Sequence, residues 1–172
     1  MKLPQEKIYW LPKWLFFIKN FHQLKKNKQS QKKDLKPSKK VLVTANDCIK
    51  KYGLPNVEME RSFMYLYKVP KTITKSIPTL PNRIYCNYDI VKKLEQAFNN
   101  IIDRGLTDEL KTWDGCFNIR LKRGSKKKGD WSLHSWGIAI DINAAWNGLG
   151  KEPQISSQLV ACFTDAGFTW GG

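Results

Sequence analysis

The stretch that most constrains the fold of this chain runs from Ser132 to Asn143 and reads S-L-H-S-W-G-I-A-I-D-I-N. In its second half, three isoleucines alternate with Ala139, Asp141 and Asn143. Alternation with a period of two is typical of a half-buried strand. We therefore expect a strand over residues 138–143, with the isoleucines in a core and Asp141 on the opposite face. His134 precedes this strand, where the chain can turn the imidazole toward the side of Asp141.

His134 and Asp141 have two interpretations. A histidine and a carboxylate near one strand are most often surface groups or a hydrogen-bonded pair. Imidazole and carboxylate are also donors that zinc accepts, and neutral histidine is the form that binds the metal. The two residues alone leave both interpretations open.

A longer pattern surrounds this pair. Ser132, His134, Gly137, Ala139 and Asp141 follow S-x-H-x-x-G-x-A-x-D. This pattern resembles the zinc-binding motif of the murein metallopeptidases that comprise D-alanyl-D-alanine carboxypeptidases and L-alanyl-D-glutamate peptidases, including VanY-like enzymes and several phage endolysins. Residues 167–172 read G-F-T-W-G-G and look like the G-F-x-W-G-G segment of the same group. The resemblance covers residues 41–172.

The resemblance implies an α+β fold, in which helices pack on a small antiparallel sheet and a basic arm precedes the domain. It also implies Zn²⁺ bound by His134 and Asp141, and a zinc-dependent peptidase that cleaves peptidoglycan stem peptides during cell-wall degradation or remodelling. In the group, a catalytic acid and a third ligand, a histidine, follow the W-G-G segment. Both would lie beyond Gly172, and the other histidine of the chain, His22, has no ligand-like spacing. We therefore expect residues 41–172 to lack the last strand and third ligand, and the chain to be a weakly active or inactive fragment.

Two further residues are candidates for the catalytic site. In the group, an arginine upstream of the motif holds the substrate and its developing oxyanion, and Arg120 matches that position best. Residues 115–123 alternate like a strand, which would direct Arg120 to the polar surface that carries Asp141. Arg123 is the alternative, and Arg120 would otherwise be an exposed strand cation. The resemblance suggests that Ser132 bonds the substrate or supports a ligand, whereas its other expected role is to bond the turn backbone.

Charge is unevenly distributed along the chain. The net charge is +15, and residues 1–40 hold twelve lysines against Glu6 and Asp34. A basic arm attracts polyanions, so we expect contact with an anionic wall polymer or a membrane surface, or else a solvated tail. Nucleic acid is disfavoured because no recognition motif accompanies the lysines. A non-catalytic module that binds the cell wall or another anionic surface is the alternative function, and a monomer is expected.

The remaining composition sets the broad class. No apolar run is long enough to span a bilayer, and no clear signal peptide precedes the domain. A phage lysin or an exported or peripheral bacterial protein both fit, and the apolar stretch Ile8–Phe21 is a candidate interfacial helix. The four cysteines form no CxxC pair, so we expect buried free thiols, with disulfides left open.

Periodicity and capping residues predict the other elements. A helix is expected from the N-cap Thr44 to Tyr52, and a longer one over residues 89–104, capped by Asn87 and buried along one face. A third helix should run from Ser156 or Ser157 to Ala166. Strands are predicted over residues 61–70, 84–86, 115–123 and 168–170. Trp136 and Trp170 are expected to fill the core, with the wall of a cleft as their alternative position.

Overall fold

The computed structural model describes residues 42–148, 150 and 152–171, so the predicted basic arm and interfacial helix lie outside the described residues. The described residues form five α-helices, namely α1 (Ala45–Tyr52), α2 (Val57–Phe63), α3 (Lys71–Ser76), α4 (Val91–Asp103) and α5 (Ser157–Asp165). They also form four strands, namely β1 (Met64–Lys68), β2 (Arg83–Asn87), β3 (Trp113–Gly115) and β4 (Asp141–Ile142). Short 3₁₀ helices occur at Tyr88–Ile90, Thr107–Glu109 and Leu133–Trp136. The architecture is α+β, as predicted.

The strands form two small antiparallel sheets, whereas the sequence predicted one. β1 pairs with β2, and β3 pairs with β4. The predicted strand over residues 115–123 is wrong beyond Gly115. Its backbone bonds instead to the turn that carries the motif, since Asn118 N donates to His134 O and Arg120 N donates to Ser135 Oγ. These bonds replace those of a regular ladder.

The strand predicted over residues 138–143 contracts to β4. At its far end Asn143 takes a positive φ of 52°, which a continuing strand does not allow. The Asn143 side chain is buried and accepts bonds from Lys111 N and Thr112 N, so the bend is fixed. The predicted inward face is nevertheless correct, because all three isoleucines pack, partly buried, against the main core.

The elements N-terminal to this region differ from the prediction in two places. Residues 61–63 were assigned to a strand but complete α2, because Asn56 caps that helix through Met59 N and acidic residues occupy its first turn. The strand begins only at Met64. α3 was not predicted at all, since its sequence, K-T-I-T-K-S, is too short for a clear helical period.

The main core is built around α4. Its predicted inward face is confirmed, since five residues at helical spacing are buried: Ile90, Leu94, Ala97, Phe98 and Ile101. α5 packs against α4, and Asn100 Nδ2 donates to Cys162 O at 2.9 Å. Each fully buried large apolar side chain contributes about 1.5–3 kcal/mol, so this helix pair anchors the described residues.

A second core surrounds Trp136. This side chain has no exposed surface and packs with Cys48, Tyr52 and Met59, while its Nε1 donates to Gly53 O at 2.9 Å. Trp136 therefore fills the core, as predicted, and fastens the 3₁₀ turn Leu133–Trp136 to α1. Trp170 does not fill the core, since 43% of its surface is exposed. The strand predicted over residues 168–170 is also absent from the structure of these residues.

Other local predictions are confirmed. Thr44 caps α1 in a capping box with Asp47, and Gly53 ends that helix at a φ of 82°. Asn87 accepts a bond from Asp89 N at the start of the main helix, and Ser156 caps α5. All four cysteines are buried free thiols. Among the described residues, no helix is both long and apolar enough to cross a membrane.

Gly137 provides a test of the packing around the motif. Its φ is +63°, and an added Cβ would lie 2.9 Å from the backbone nitrogen of Asn87. We expect Gly137→Ala to lower the free energy of unfolding by about 2–4 kcal/mol, from the left-handed backbone and the overlap together. Gly105→Ala is the matched control, because Gly105 has a φ of +68° with no atom within 4 Å of the added Cβ. We expect Gly105→Ala to lower the free energy of unfolding by only about 1–2 kcal/mol. If urea unfolding shows that Gly137→Ala and Gly105→Ala lower the free energy of unfolding equally, the packing around Gly137 does not require a glycine.

Asp89 provides a test at acid pH. Its carboxylate bonds to Lys51 Nζ at 2.7 Å and to Tyr52 Oη at 2.8 Å, and these contacts hold the pKa of Asp89 below its usual value. A lowered folded-state pKa gives stability that is present above the unfolded pKa, near ~3.9, and is lost as the pH falls through the folded pKa. Because the side chain is 42% exposed, we expect Asp89→Asn to cost only about 0.5–1 kcal/mol at pH 7.

The stability difference between the wild-type chain and Asp89→Asn should shrink as the pH falls below about 4 and vanish below the lowered folded-state pKa, as measured by urea unfolding across the pH range. Asp108→Asn is the control, since Asp108 is exposed and forms no ion pair with another described residue. A difference that stays constant down to acid pH would show that the ion pair is not its source.

Candidate functional site

The turn Leu133–Trp136 and strand β4 bring the two candidate ligands together. His134 Nε2 lies 3.4 Å from Asp141 Oδ2. The imidazole is 12% exposed and the carboxylate is 43% exposed, so the pair opens toward solvent on the carboxylate side. The two side chains share one face, as the sequence predicted. This proximity does not by itself test whether they bind a metal.

The other ring nitrogen of His134 fixes the tautomer. Nδ1 lies 3.0 Å from the carbonyl oxygen of Cys116. Because a carbonyl oxygen only accepts hydrogen bonds, Nδ1 carries the proton in this contact. In neutral His134, the lone pair is therefore on Nε2, the nitrogen that faces Asp141. A carbonyl partner of this kind orients many metal-binding histidines.

Asp141 is held as a carboxylate. The main cause of its lowered pKa is a hydrogen bond from His134, which Nε2 can donate only when the ring is protonated, because Nδ1–H is bonded to Cys116 O. The cations of Arg123 and Arg120 lower the pKa further, while partial burial opposes them. The 3.4 Å separation from His134 is longer than the ~2.7–2.9 Å of a charge-assisted hydrogen bond. Two donors bound at about 2.0–2.1 Å to one tetrahedral zinc lie about 3.3–3.4 Å apart, which is close to this spacing.

Arg120 lies beside the pair because its backbone is fixed to the motif turn. Ser135 Oγ accepts a bond from Arg120 N at 3.0 Å and donates to Arg120 O at 2.9 Å. Ser132 N also donates to Arg120 O, at 3.0 Å. The Arg120 guanidinium donates to Leu121 O at 3.2 Å and lines the cleft that contains His134 and Asp141.

Arg123 and Ser132 line the same cleft. Arg123 is exposed, whereas Arg120 is partly buried. Ser132 is 7% exposed and bonds Arg120 through its backbone. The structure brings all four predicted site residues into one cleft, and their assigned roles remain predictions.

Three supporting residues were missed by the sequence analysis. Ser135 holds Arg120, and the Cys116 carbonyl orients His134. Asn87 N donates to Gly137 O at 2.9 Å, and Asn87 Nδ2 donates to Trp136 O at 3.1 Å. A backbone carbonyl leaves no signature in a sequence, and Ser135 occupies a variable position of the motif. Asn87 was noticed only as a helix cap.

The donor set fits part of a zinc site. A catalytic zinc takes three protein ligands and keeps one position open. Within residues 42–148, 150 and 152–171, no group of three or more histidine, cysteine, aspartate or glutamate side chains is arranged to hold a metal. His134 and Asp141 are thus two donors of suitable chemistry and spacing, and His22 lies outside the described residues.

Comparison with known proteins bears on the same segment. Residues 125–172 match a family model described as D-alanyl-D-alanine carboxypeptidase. Neither a curated protein nor a solved structure matches the chain. The matched segment contains Ser132, His134 and Asp141, whereas Arg120 precedes it. The match confirms the resemblance to the D-alanyl-D-alanine carboxypeptidase group for residues 125–172. At the level of reaction class, it supports a peptidase.

Proposed function

We propose that this protein is a zinc-dependent peptidase that cleaves peptidoglycan stem peptides, with His134 and Asp141 as two of its metal ligands. The observation that carries the proposal is the geometry of this pair. Nε2, which holds the lone pair when the His134 ring is neutral, lies 3.4 Å from a carboxylate oxygen, while Nδ1 lies 3.0 Å from Cys116 O. That spacing and that tautomer are what two donors to one tetrahedral ion require.

The other residues of the cleft have matching roles in the proposal. A bound zinc would lower the pKa of a coordinated water and polarise the scissile carbonyl. The Arg120 guanidinium would hold a substrate carboxylate or the oxyanion that develops during attack, since it supplies fixed donors beside the pair. Ser132 would donate a hydrogen bond to the peptide backbone. We propose the stem peptide as the partner and the monomer as the working form.

The proposal needs a third ligand and a catalytic acid or base. We propose that both come from outside the described residues, as the family resemblance implies for the segment after W-G-G. The acid or base would accept a proton from water and return one to the leaving amine. Without a third ligand, zinc binding by His134 and Asp141 is expected to be weak.

A second candidate is a non-catalytic module that binds the cell wall through its charge. It is favoured by the charge of residues 1–40, which hold twelve lysines against Glu6 and Asp34. In that case the basic arm, residues 1–40, would bind an anionic wall polymer or a membrane surface. Salt-sensitive binding without hydrolysis, and without any effect of zinc, would support this candidate.

Zinc binding tests the proposed ligands directly. We expect calorimetry on the 172-residue chain near neutral pH to detect one weak zinc site, because histidine must be neutral to bind. His134→Ala and Asp141→Ala should each weaken it by at least about tenfold, since even outer-shell changes have effects of this size. His22→Ala is the matched control and should leave the affinity unchanged. Unaltered zinc binding in His134→Ala would refute the ligand assignment.

Hydrolysis tests the substrate class. Zinc-dependent and chelator-sensitive cleavage of isolated stem peptides, followed by mass spectrometry, would establish the peptidase. Release of D-alanine would identify a carboxypeptidase, and cleavage after L-alanine would identify an endopeptidase. The test requires a form of the protein that includes the third ligand. If that form binds zinc through His134 but leaves these peptides intact, the proposal is contradicted.

A further inference from the structure

The segment that leads into the motif is an ordered basic hairpin. We define the basic hairpin as residues 121–131, where Leu121 and Trp131 form an antiparallel bridge and Lys122 N donates to Asp130 O at 2.9 Å. Its tip is closed by a bond from Asp130 N to Lys127 O at 3.1 Å. At its base, Ser135 fixes the backbone of Arg120. The backbone of the basic hairpin is therefore hydrogen-bonded along its length, and its base is bonded to the turn Leu133–Trp136.

These cations are only partly neutralised. The basic hairpin carries five cations, Lys122, Arg123, Lys126, Lys127 and Lys128, and its one acid is Asp130. Asp130 Oδ1 pairs with Lys122 Nζ at 2.7 Å. Arg123 has no ion-pair partner among the described residues. The guanidinium of Arg123 is thus available to an external anion.

The position of Arg123 relates it to the cleft. Arg123 lines the cleft with His134 and Asp141, whereas Lys126, nearer the tip, does not line it. Cations outnumber acids in the cleft lining, which includes Lys51, Lys93, Arg120, Lys122 and Arg123 against Asp47, Asp89 and Asp141. A ligand in this cleft therefore meets an excess of positive charge on the side of the basic hairpin.

We propose that Arg123 forms an anion subsite that selects stem peptides with a free carboxylate next to the scissile bond over peptides in which that carboxylate is amidated. The inference rests on the proposed function, because it takes the peptide to lie across His134 and Asp141. A guanidinium binds a carboxylate with two parallel hydrogen bonds, whereas an amide lacks both the charge and the second acceptor. Arg123 in this role determines specificity and does not touch the reacting atoms.

A phosphate-bearing wall polymer is the competing ligand for the same charges. A polymer with many phosphates would engage the lysines at the tip, Lys126, Lys127 and Lys128, at least as strongly as Arg123. Selection by one carboxylate instead requires a hairpin cation that lines the cleft and is not already paired. Lys122 lines the cleft as well but is paired with Asp130, which leaves Arg123. The location of Arg123 favours the acidic peptide.

Paired peptides test this subsite without requiring catalysis. We take cleavage to be after L-alanine, so that the carboxylate next to the scissile bond is the glutamyl α-carboxylate. The probes are two synthetic tripeptides, L-alanyl-γ-D-glutamyl-L-lysine with this group either free or amidated, titrated into the 172-residue chain by NMR without zinc. At low salt we expect the free acid to bind about three- to tenfold more tightly than the amide. Arg123→Gln should reduce this preference to about twofold or less, and high salt should weaken it. Lys126→Gln removes the same charge from the same hairpin and should retain the preference.

Each other outcome counts against the subsite. The subsite is overturned if the two peptides bind equally or if neither binds. It is also overturned if Arg123→Gln and Lys126→Gln reduce the preference for the free acid by the same factor. Tight binding of poly(glycerol phosphate) that depends on the tip lysines, without discrimination between the peptides, would assign the hairpin to wall polymer instead. His134→Ala separates the two proposals, since it should weaken zinc binding by at least about tenfold yet keep the peptide preference. If zinc binding is insensitive to His134→Ala while the preference depends on Arg123, only the metal assignment fails.

Discussion

The orientation of the His134 ring depends on one hydrogen bond, from its Nδ1 to the carbonyl oxygen of Cys116. That carbonyl is a reliable support because Cys116 is 5% exposed and belongs to the main core. Its thiol also donates to Gly137 O, three residues after the histidine, and burial raises the pKa of the thiol so that it stays protonated. The candidate site is therefore built on a buried backbone segment and does not rely on a surface loop for its geometry.

The motif segment also joins the two cores. Trp136 is the centre of one core, while Ile140 and Ile142 pack against the other, and Ile138 contacts both. Asn87 ties the two together, since it bonds to Trp136 O and Gly137 O and also caps the start of the main helix. Displacement of either core would move His134 relative to Asp141. Stability and site geometry are thus coupled through the same few residues.

The sequence predicted the parts of the fold that depend on local signals. The face of α4, the Thr44 cap and the inward isoleucines follow from periodicity and capping chemistry, which neighbouring residues determine. The strand over residues 115–123 failed because alternation predicts a face but not a hydrogen-bond partner. There the partners are Ser135 and His134, which no local pattern specifies. The pairing of His134 with Asp141 was predictable because one short segment carries both.

If His134 and Asp141 bind a metal as proposed, the charges around the pair would couple that metal to an anionic ligand. Arg120 and Arg123 lie close enough to lower the pKa of Asp141, so they also disfavour a divalent cation bound to that carboxylate. An anionic ligand in the cleft would offset this repulsion and thereby favour the metal. By linkage, a bound metal would favour the anion by the same factor. If His134 and Asp141 hold zinc, the basic side of the cleft weakens metal binding in the free protein and strengthens it in the complex with an acidic peptide.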